Sequence, residues 1–544
     1  MTPLRLQAQI RGLAGIASLS SILFVAHIGA AQTAVTTYHN DNYRTGWNSA
    51  ETVLTPSTVN TASFGLLAKV AVDDQVDGQP LVVPGVTITA GNNQGVHDVV
   101  YIVTGNDTVY AIDADAGTVL LSQNLGKPVT WPLGCNNNGP NVGIDSTPVI
   151  DVSSNTIYLI AYTQDSTGPA YRVHALDLGN LTDKVAPMVV SASHTLTDGT
   201  TFTFNATYQR QRPGLLLANG NIYAGFGSFC DYSANLSRGW LLGWNAATLM
   251  PLSANRLNDQ QPTSPNTFFL SSIWMSGYGL AADDSGNVVF VTGNSDYSGT
   301  TYDGVSNIQE SVVKVSSDLT TVVDLFTPSN QASLDGGDTD FGSGGVLVLP
   351  DQTGSTPHLA VAAGKYGSMY LMNEDKLGGY STTTNNVLGT YQVGACWCGE
   401  SYFVDPTDGL ARVVSSGAHE VKVWKVKTSP SPKLVGVARS PALKSGQLAG
   451  FFTSVSSNGN ATPIIWALTR PVSHSSTGIG LYAFNPDSGA KMTLLFQADA
   501  GSWPNYGGNL NQVPVIANGK VYVASNKELE IFGLKQAANL KSSK

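Results

Sequence analysis

Short runs in which apolar and polar residues alternate, each broken by Gly, Asn or Asp, recur along most of the chain. A period of two marks β-strands, because successive side chains point to opposite faces of a sheet. The clearest unit is VVYIVTGNDTVYAIDADAGTVLLSQ, from Val99 to Gln123, broken at Gly105-Asn106-Asp107 and at Asp115-Ala116-Gly117. Both breaks carry the residues that hairpin turns require. Comparable units begin near Ser146 (STPVIDVSSNTIYLIAY), Arg212 (RPGLLLANGNIYAGFG), Gly277 (GYGLAADDSGNVVFVTGN), Gly344 (GGVLVLPDQTGSTPHLAVAAGKYGSMYLMN) and Val513 (VPVIANGKVYVASNKELEIFGL). Two more degenerate copies span Glu400 to Val437 and Phe451 to Leu495. With about eight such units of four strands each, the pattern predicts an all-β, eight-bladed β-propeller of antiparallel blades.

The strand FGLLAKVAV, Phe64 to Val72, lies outside the first full unit. We expect it to complete the last blade, since an unpaired final blade would expose a long edge. No Pro/Ser/Gly-rich linker separates halves, so residues 32–534 form one predicted domain and 535–544 a flexible tail. Ahead of the domain stand Arg5 and Arg11, an apolar run from Leu13 to Ala26, and the small residues Gly29-Ala30-Ala31. That order reads as a cleavable export signal over residues 1–31. The run falls short of the ~20 apolar residues that span a bilayer, so no membrane span is expected in the mature chain. The expected location is the periplasm or the cell exterior.

Composition supports the same picture. The 57 Gly, 26 Pro and 12% charged residues suit short strands and tight turns rather than long amphipathic helices. The net charge of -10, with basic residues scattered, supplies no positive stripe for a phosphate backbone, and nucleic acid is not an expected partner. Export lets disulfides persist among Cys135, Cys230, Cys396 and Cys398, although the sequence leaves three pairings open. The Cys396-Trp397-Cys398 spacing has no nearby His, which argues for disulfides or buried thiols over a soft-metal site. Without a Cys-x-x-Cys-His motif, no covalently bound haem is expected. His39, His97, His174, His194, His358, His419 and His474 form no HxH or HExxH pairing and are read as structural or surface residues.

Several segments carry polar residues that a blade does not need. YHNDNYRTGWNSAETVLTPSTVNTASFGLLAKVAV, then DGQPLVVPGV and VYAIDADAGTV, resemble the opening of the pyrroloquinoline quinone (PQQ) dehydrogenases, eight-bladed quinoproteins that oxidise alcohols. SSIWMSGYGLAADDSGNVVFVTGNSDYSG, from Ser271, resembles the segment where a Trp stacks under the quinone and a Gly-Asn turn supplies a calcium ligand. The resemblance assigns those roles to Trp274 and Asn294. TDFGSGGVLVLPD places the catalytic aspartate at Asp340, and HLAVAAGKYGSMYLMNEDKLG places the quinone-binding basic residue at Lys365. A carboxylate metal ligand is expected upstream of Arg238-Gly239-Trp240, where the nearest acid is Asp231.

These residue types suit one another. A flat, polyanionic quinone stacks on an indole and is polarised by a cation, while a hard cation takes oxygen ligands and a carboxylate takes the substrate's hydroxyl proton. The resemblance thus implies PQQ and calcium as cofactors, a small-molecule alcohol or sugar-like substrate and a separate electron acceptor. Two departures stand against it. The region LGCNNNGPNVGIDSTPVID offers Cys135 where the family has two adjacent cysteines, and DADAGTVLLSQ and NPDSGAKMTLLF lack the family's terminal Trp. The alternative is a non-catalytic propeller of the same fold that serves as a binding or assembly scaffold for a protein partner.

Overall fold

The computed structural model describes residues 32–135, 137, 139–195, 201–230, 239–254, 272–294 and 308–535. Among them, eight small antiparallel sheets form the ring expected from the repeat. The first strands of the successive blades are Leu81–Ile88, Val149–Asp151, Leu216–Ala218, Ala281–Ala282, Val346–Leu349, Ser401–Val404, Phe452–Asn458 and Val515–Ala517. Blade 1 continues through Gly95–Val103, Thr108–Asp113 and Val119–Asn124, so the repeat unit read from the sequence supplies strands of a single blade.

The ring closes as the pattern predicts. Phe64–Gln75 pairs antiparallel with Asn526–Leu534, the third strand of blade 8, and so supplies its fourth strand. Phe64 opens that strand with its ring 4.9 Å from Phe496 and 5.6 Å from Trp466, both in blade 7. Closure is therefore a packing event as well as a row of hydrogen bonds, and burying one such ring contributes roughly 1.5–3 kcal/mol.

Why many strands read as unbroken apolar runs follows from the packing. In blade 1, Val99, Tyr101 and Val103 face a core shared with blade 2, whereas Val100 and Ile102 face a core shared with blade 8. Each sheet has two buried faces, so the polar half of the alternation is lost wherever both neighbours press close.

Residues 35–51 do something the repeat pattern does not predict. Val35 exchanges two backbone bonds with Val82 of blade 1, each 2.8 Å, and the Thr36 carbonyl accepts from Ile150 of blade 2 at 2.8 Å. Arg44 and Asn42 donate to the Leu215 and Leu217 carbonyls at the inner edge of blade 3, at 3.2 and 3.0 Å. The carbonyls of Asn42, Tyr43, Thr45 and Gly46 then accept in turn from Ala282, Val348, Tyr402 and Val455, in blades 4 to 7, at 2.7–3.0 Å. Asn48 finishes the circuit on the Ile516 carbonyl of blade 8 at 2.9 Å. One short segment thus satisfies inner-edge backbone groups in all eight blades. Its tight curl uses left-handed backbone at His39, Asn40, Arg44 and Gly46.

Arg44 anchors this segment. Its guanidinium is fully buried and donates to the Leu280, Tyr38, Asp41 and Leu215 carbonyls and to the Thr37 hydroxyl. Beyond the ring, Lys535 still bonds the Ser63 carbonyl through its backbone N–H, while residues 1–31 and 536–544 lie outside the described residues.

Candidate functional site

The loops that lead into the first strands gather at one end of the ring. Ser276, before blade 4, donates to the Ser343 carbonyl before blade 5 at 2.6 Å, and Ser343 donates onward to the Cys396 carbonyl before blade 6 at 2.8 Å. Arg470 ties the next three loops together, donating to Trp397, Gly450 and Leu510 carbonyls at 2.6–2.7 Å. On the far side, Gln512 bonds the Val76 and Gly78 carbonyls, and Arg212 bonds the Asp145 carbonyl at 2.7 Å. The hydrogen-bonded chain of loops leaves little freedom for side chains aimed at the axis.

Into this end the structure brings Trp274, Asp340 and Lys365. The Trp274 Nε1 donates to Asp340 Oδ2 at 3.1 Å, and the Lys365 ammonium lies 3.5 Å from the same oxygen. Lys365 also binds Asp338 Oδ1 at 2.7 Å, and its backbone N–H bonds the Asp340 carbonyl at 3.0 Å. Asp340 is buried at 3% exposure, so its carboxylate is held by a cation and an indole N–H away from bulk water.

Glycines make the closeness possible. A Cβ on Gly293 would lie 2.9 Å from Trp274 Nε1, and one on Gly342 would fall 2.4 Å from the Gly293 nitrogen. A side chain at Gly293 would intrude on Trp274 and Asp340, and one at Gly342 would collide with the Thr292-Gly293 backbone. Asn294, directly after Gly293, is buried in the same corner.

Two further residues of this site escape the sequence reading. Trp397 lies within the loop closed by a Cys396–Cys398 disulfide, whose Cα atoms are 5.0 Å apart. Its ring and that of Trp274 each lie 5.5 Å from the Lys365 ammonium, which therefore sits against two indole faces. The other is Glu310, fully buried, which accepts the N–H of Phe341 next to Asp340. Burial, and secondarily the charge of Asp340, holds the Glu310 carboxyl well above the usual carboxylate range. No motif marks Glu310, because NIQESVV reads as the start of a strand. Trp397 could have been flagged, since an aromatic between two cysteines is held wherever a disulfide between them puts it.

The other two cysteines, Cys135 and Cys230, are also paired, so both candidate soft-metal thiols and free thiols are absent among the described residues. Asp231 and Arg238 lie outside the described residues. His358, Glu374 and Asp375 converge at the opposite end of the strand Leu359–Ala363 from Lys365, and Glu374 there is already paired with Lys314.

No protein-family model and no curated protein matches the sequence. Solved structures do match. The chain is similar to the quinohemoprotein alcohol dehydrogenase ADHIIG from Pseudomonas putida HK5, with a TM-score of 0.60 and 12% identity over 94% of this chain and 81% of that one. It is equally similar to a europium-containing methanol dehydrogenase, with a TM-score of 0.59 and 12% identity over 92% of this chain and 98% of that one. The fold is that of the quinoprotein dehydrogenases. At such identity the likeness is one of architecture, and chemistry has to be argued from the side chains.

Quinoprotein-like describes the ring, its eight blades and its closure. The region in which the family's adjacent cysteines are expected holds Cys135 paired 95 residues away with Cys230, so no vicinal disulfide forms there. The disulfide nearest Lys365 instead brackets Trp397.

Proposed function

We propose that the chain is an exported PQQ- and calcium-dependent dehydrogenase that oxidises an alcohol or sugar-like substrate. The observation that carries the reading is the contact of Trp274, Asp340 and Lys365 around one carboxylate oxygen, with a second indole from Trp397. The donor set fits both groups. Two indole faces and an ammonium suit a flat polyanion, and the buried oxygens of Asn294, Asp340 and Glu310 suit a hard cation. When bound, PQQ would supply a two-electron acceptor and calcium a Lewis acid.

The chain's own residues then have separable tasks. Trp274 and Trp397 provide apolar faces that orient a planar ligand. Lys365 neutralises its negative charge and holds Asp340 Oδ2 in place. Asp340 takes the hydroxyl proton of the substrate as hydride leaves its carbon, a role that needs a carboxylate within hydrogen-bond reach. With no Cys-x-x-Cys-His motif in the sequence to hold a haem, a separate electron acceptor would complete the reaction.

The test is reconstitution. Purified protein with PQQ and calcium should acquire quinone absorbance and oxidise alcohols with an artificial dye as acceptor. Asp340→Asn should keep the absorbance and lose the oxidation. Failure to take up PQQ at micromolar concentration would replace the enzyme with the scaffold reading.

A further inference from the structure

We propose that Glu310 is a ligand of the hard cation at this site, completing with Asn294 and Asp340 a set of buried oxygen donors. The inference rests on the quinoprotein reading for the cation's partner in the pocket, but the residues carry it by themselves.

Glu310 is fully buried, and its Oε1 has no hydrogen-bond partner among the described residues. Its position is fixed from both sides. The Glu310 N–H donates to the Gly293 carbonyl at 2.9 Å, one residue before Asn294, and Oε2 accepts from the Phe341 N–H, one residue after Asp340. The unpartnered oxygen therefore belongs to a carboxyl group wedged between the carriers of the other two candidate ligands. Left-handed backbone at Glu310 itself, φ 51°, turns the side chain at this point.

Charge points the same way. The ammonium of Lys365 already faces Asp338 and Asp340, and Glu310 adds a third carboxyl to the group. A cation supplies both what the charge and what the free oxygen lack, and oxygen-only donors select a hard ion over a soft one. Asp231 is not needed to provide a carboxylate.

The decisive experiment titrates purified full-length protein with calcium by calorimetry and with terbium by Trp-sensitised luminescence, each with and without PQQ. Glu310→Gln keeps the acceptor for the Phe341 N–H and should fold. We expect its cation affinity to fall at least tenfold, terbium emission to drop with it, and calcium no longer to raise its Tm. Glu310→Asp, which keeps the charge but retracts the oxygens, should bind with intermediate affinity and decides the matter if the Gln variant does not fold. Wild-type affinity in either variant would overturn the assignment, and so would a wild-type protein that binds neither ion. PQQ uptake with unchanged cation affinity in Glu310→Gln would leave the quinone reading standing and remove Glu310. Calcium binding that depends on Glu310 without PQQ uptake would do the reverse.

Discussion

Arg44, fully buried, and Lys365, half-buried, are both cations of one ring, yet their surroundings differ in kind. Arg44 meets five neutral oxygens, four of them backbone carbonyls from three stretches of chain. Arg470 repeats the arrangement among the loops, with five carbonyls, the Asn511 side chain and, among the described residues, no carboxylate. Lys365 instead meets two carboxylates and two indole faces. A guanidinium with five fixed donors suits cross-linking of carbonyls, whereas a compact ammonium remains a point charge toward whatever enters beside it. The first environment holds backbone together; the second holds chemistry.

The comparison can be broken in order of effect. If Asp340 is the base of the reaction, Asp340→Asn should lower turnover by about 10²–10⁴-fold, read as dye-linked oxidation with the quinone still bound. Arg44→Met should cost roughly 3–5 kcal/mol of stability by urea denaturation, because four buried carbonyls lose their donor. Lys365→Met should show its largest effect on the ligand rather than on the fold, weakening PQQ binding roughly tenfold, or about 1.4 kcal/mol, read by quinone absorbance in a titration.

Glu400 sharpens the contrast, because it lies between the two regions. Its carbonyl and that of Arg44 both lie within hydrogen-bond reach of the Tyr278 hydroxyl, at 3.1 and 3.0 Å. Neither of its side-chain oxygens has a hydrogen-bond partner among the described residues, and burial pushes its carboxyl up to about 8. An acid with a raised native pKa binds more protons folded than unfolded, so it destabilises the native state progressively as pH rises from the usual carboxylate value toward 8. Glu400→Gln should therefore leave Tm unchanged at pH 4 and raise it above pH 8, by an amount on the order of a few kcal/mol in stability. Parallel Tm–pH curves for the two proteins would contradict this.

How much of this was legible in the sequence depends on what each residue bonds. The blades were, because Val99 to Gln123 alternates with a period of two and breaks at turn residues, and so was the closing strand from Phe64, which had no partner in its own unit. Trp274, Asp340 and Lys365 were placed by resemblance, and the structure adds that they touch. Asn294 lies in the same corner, whereas Asp231 falls outside the described residues. Glu310 was not legible, since a carboxylate at the head of an apolar strand looks like any solvated strand end. Nor was the course of residues 35–51, because its contacts are mostly carbonyl to N–H and leave no side-chain signature.

That segment has a consequence for how the molecule comes into being. A strip of chain with partners in eight blades is fully held only on a finished ring, since the last partner, Ile516, stands 468 residues from Asn48. Intermediates with some blades in place keep unfilled inner edges and offer the strip only part of its bonds. Completion should thus be abrupt, with the propeller maturing as a unit and chains shortened before blade 8 failing outright rather than yielding a smaller stable body.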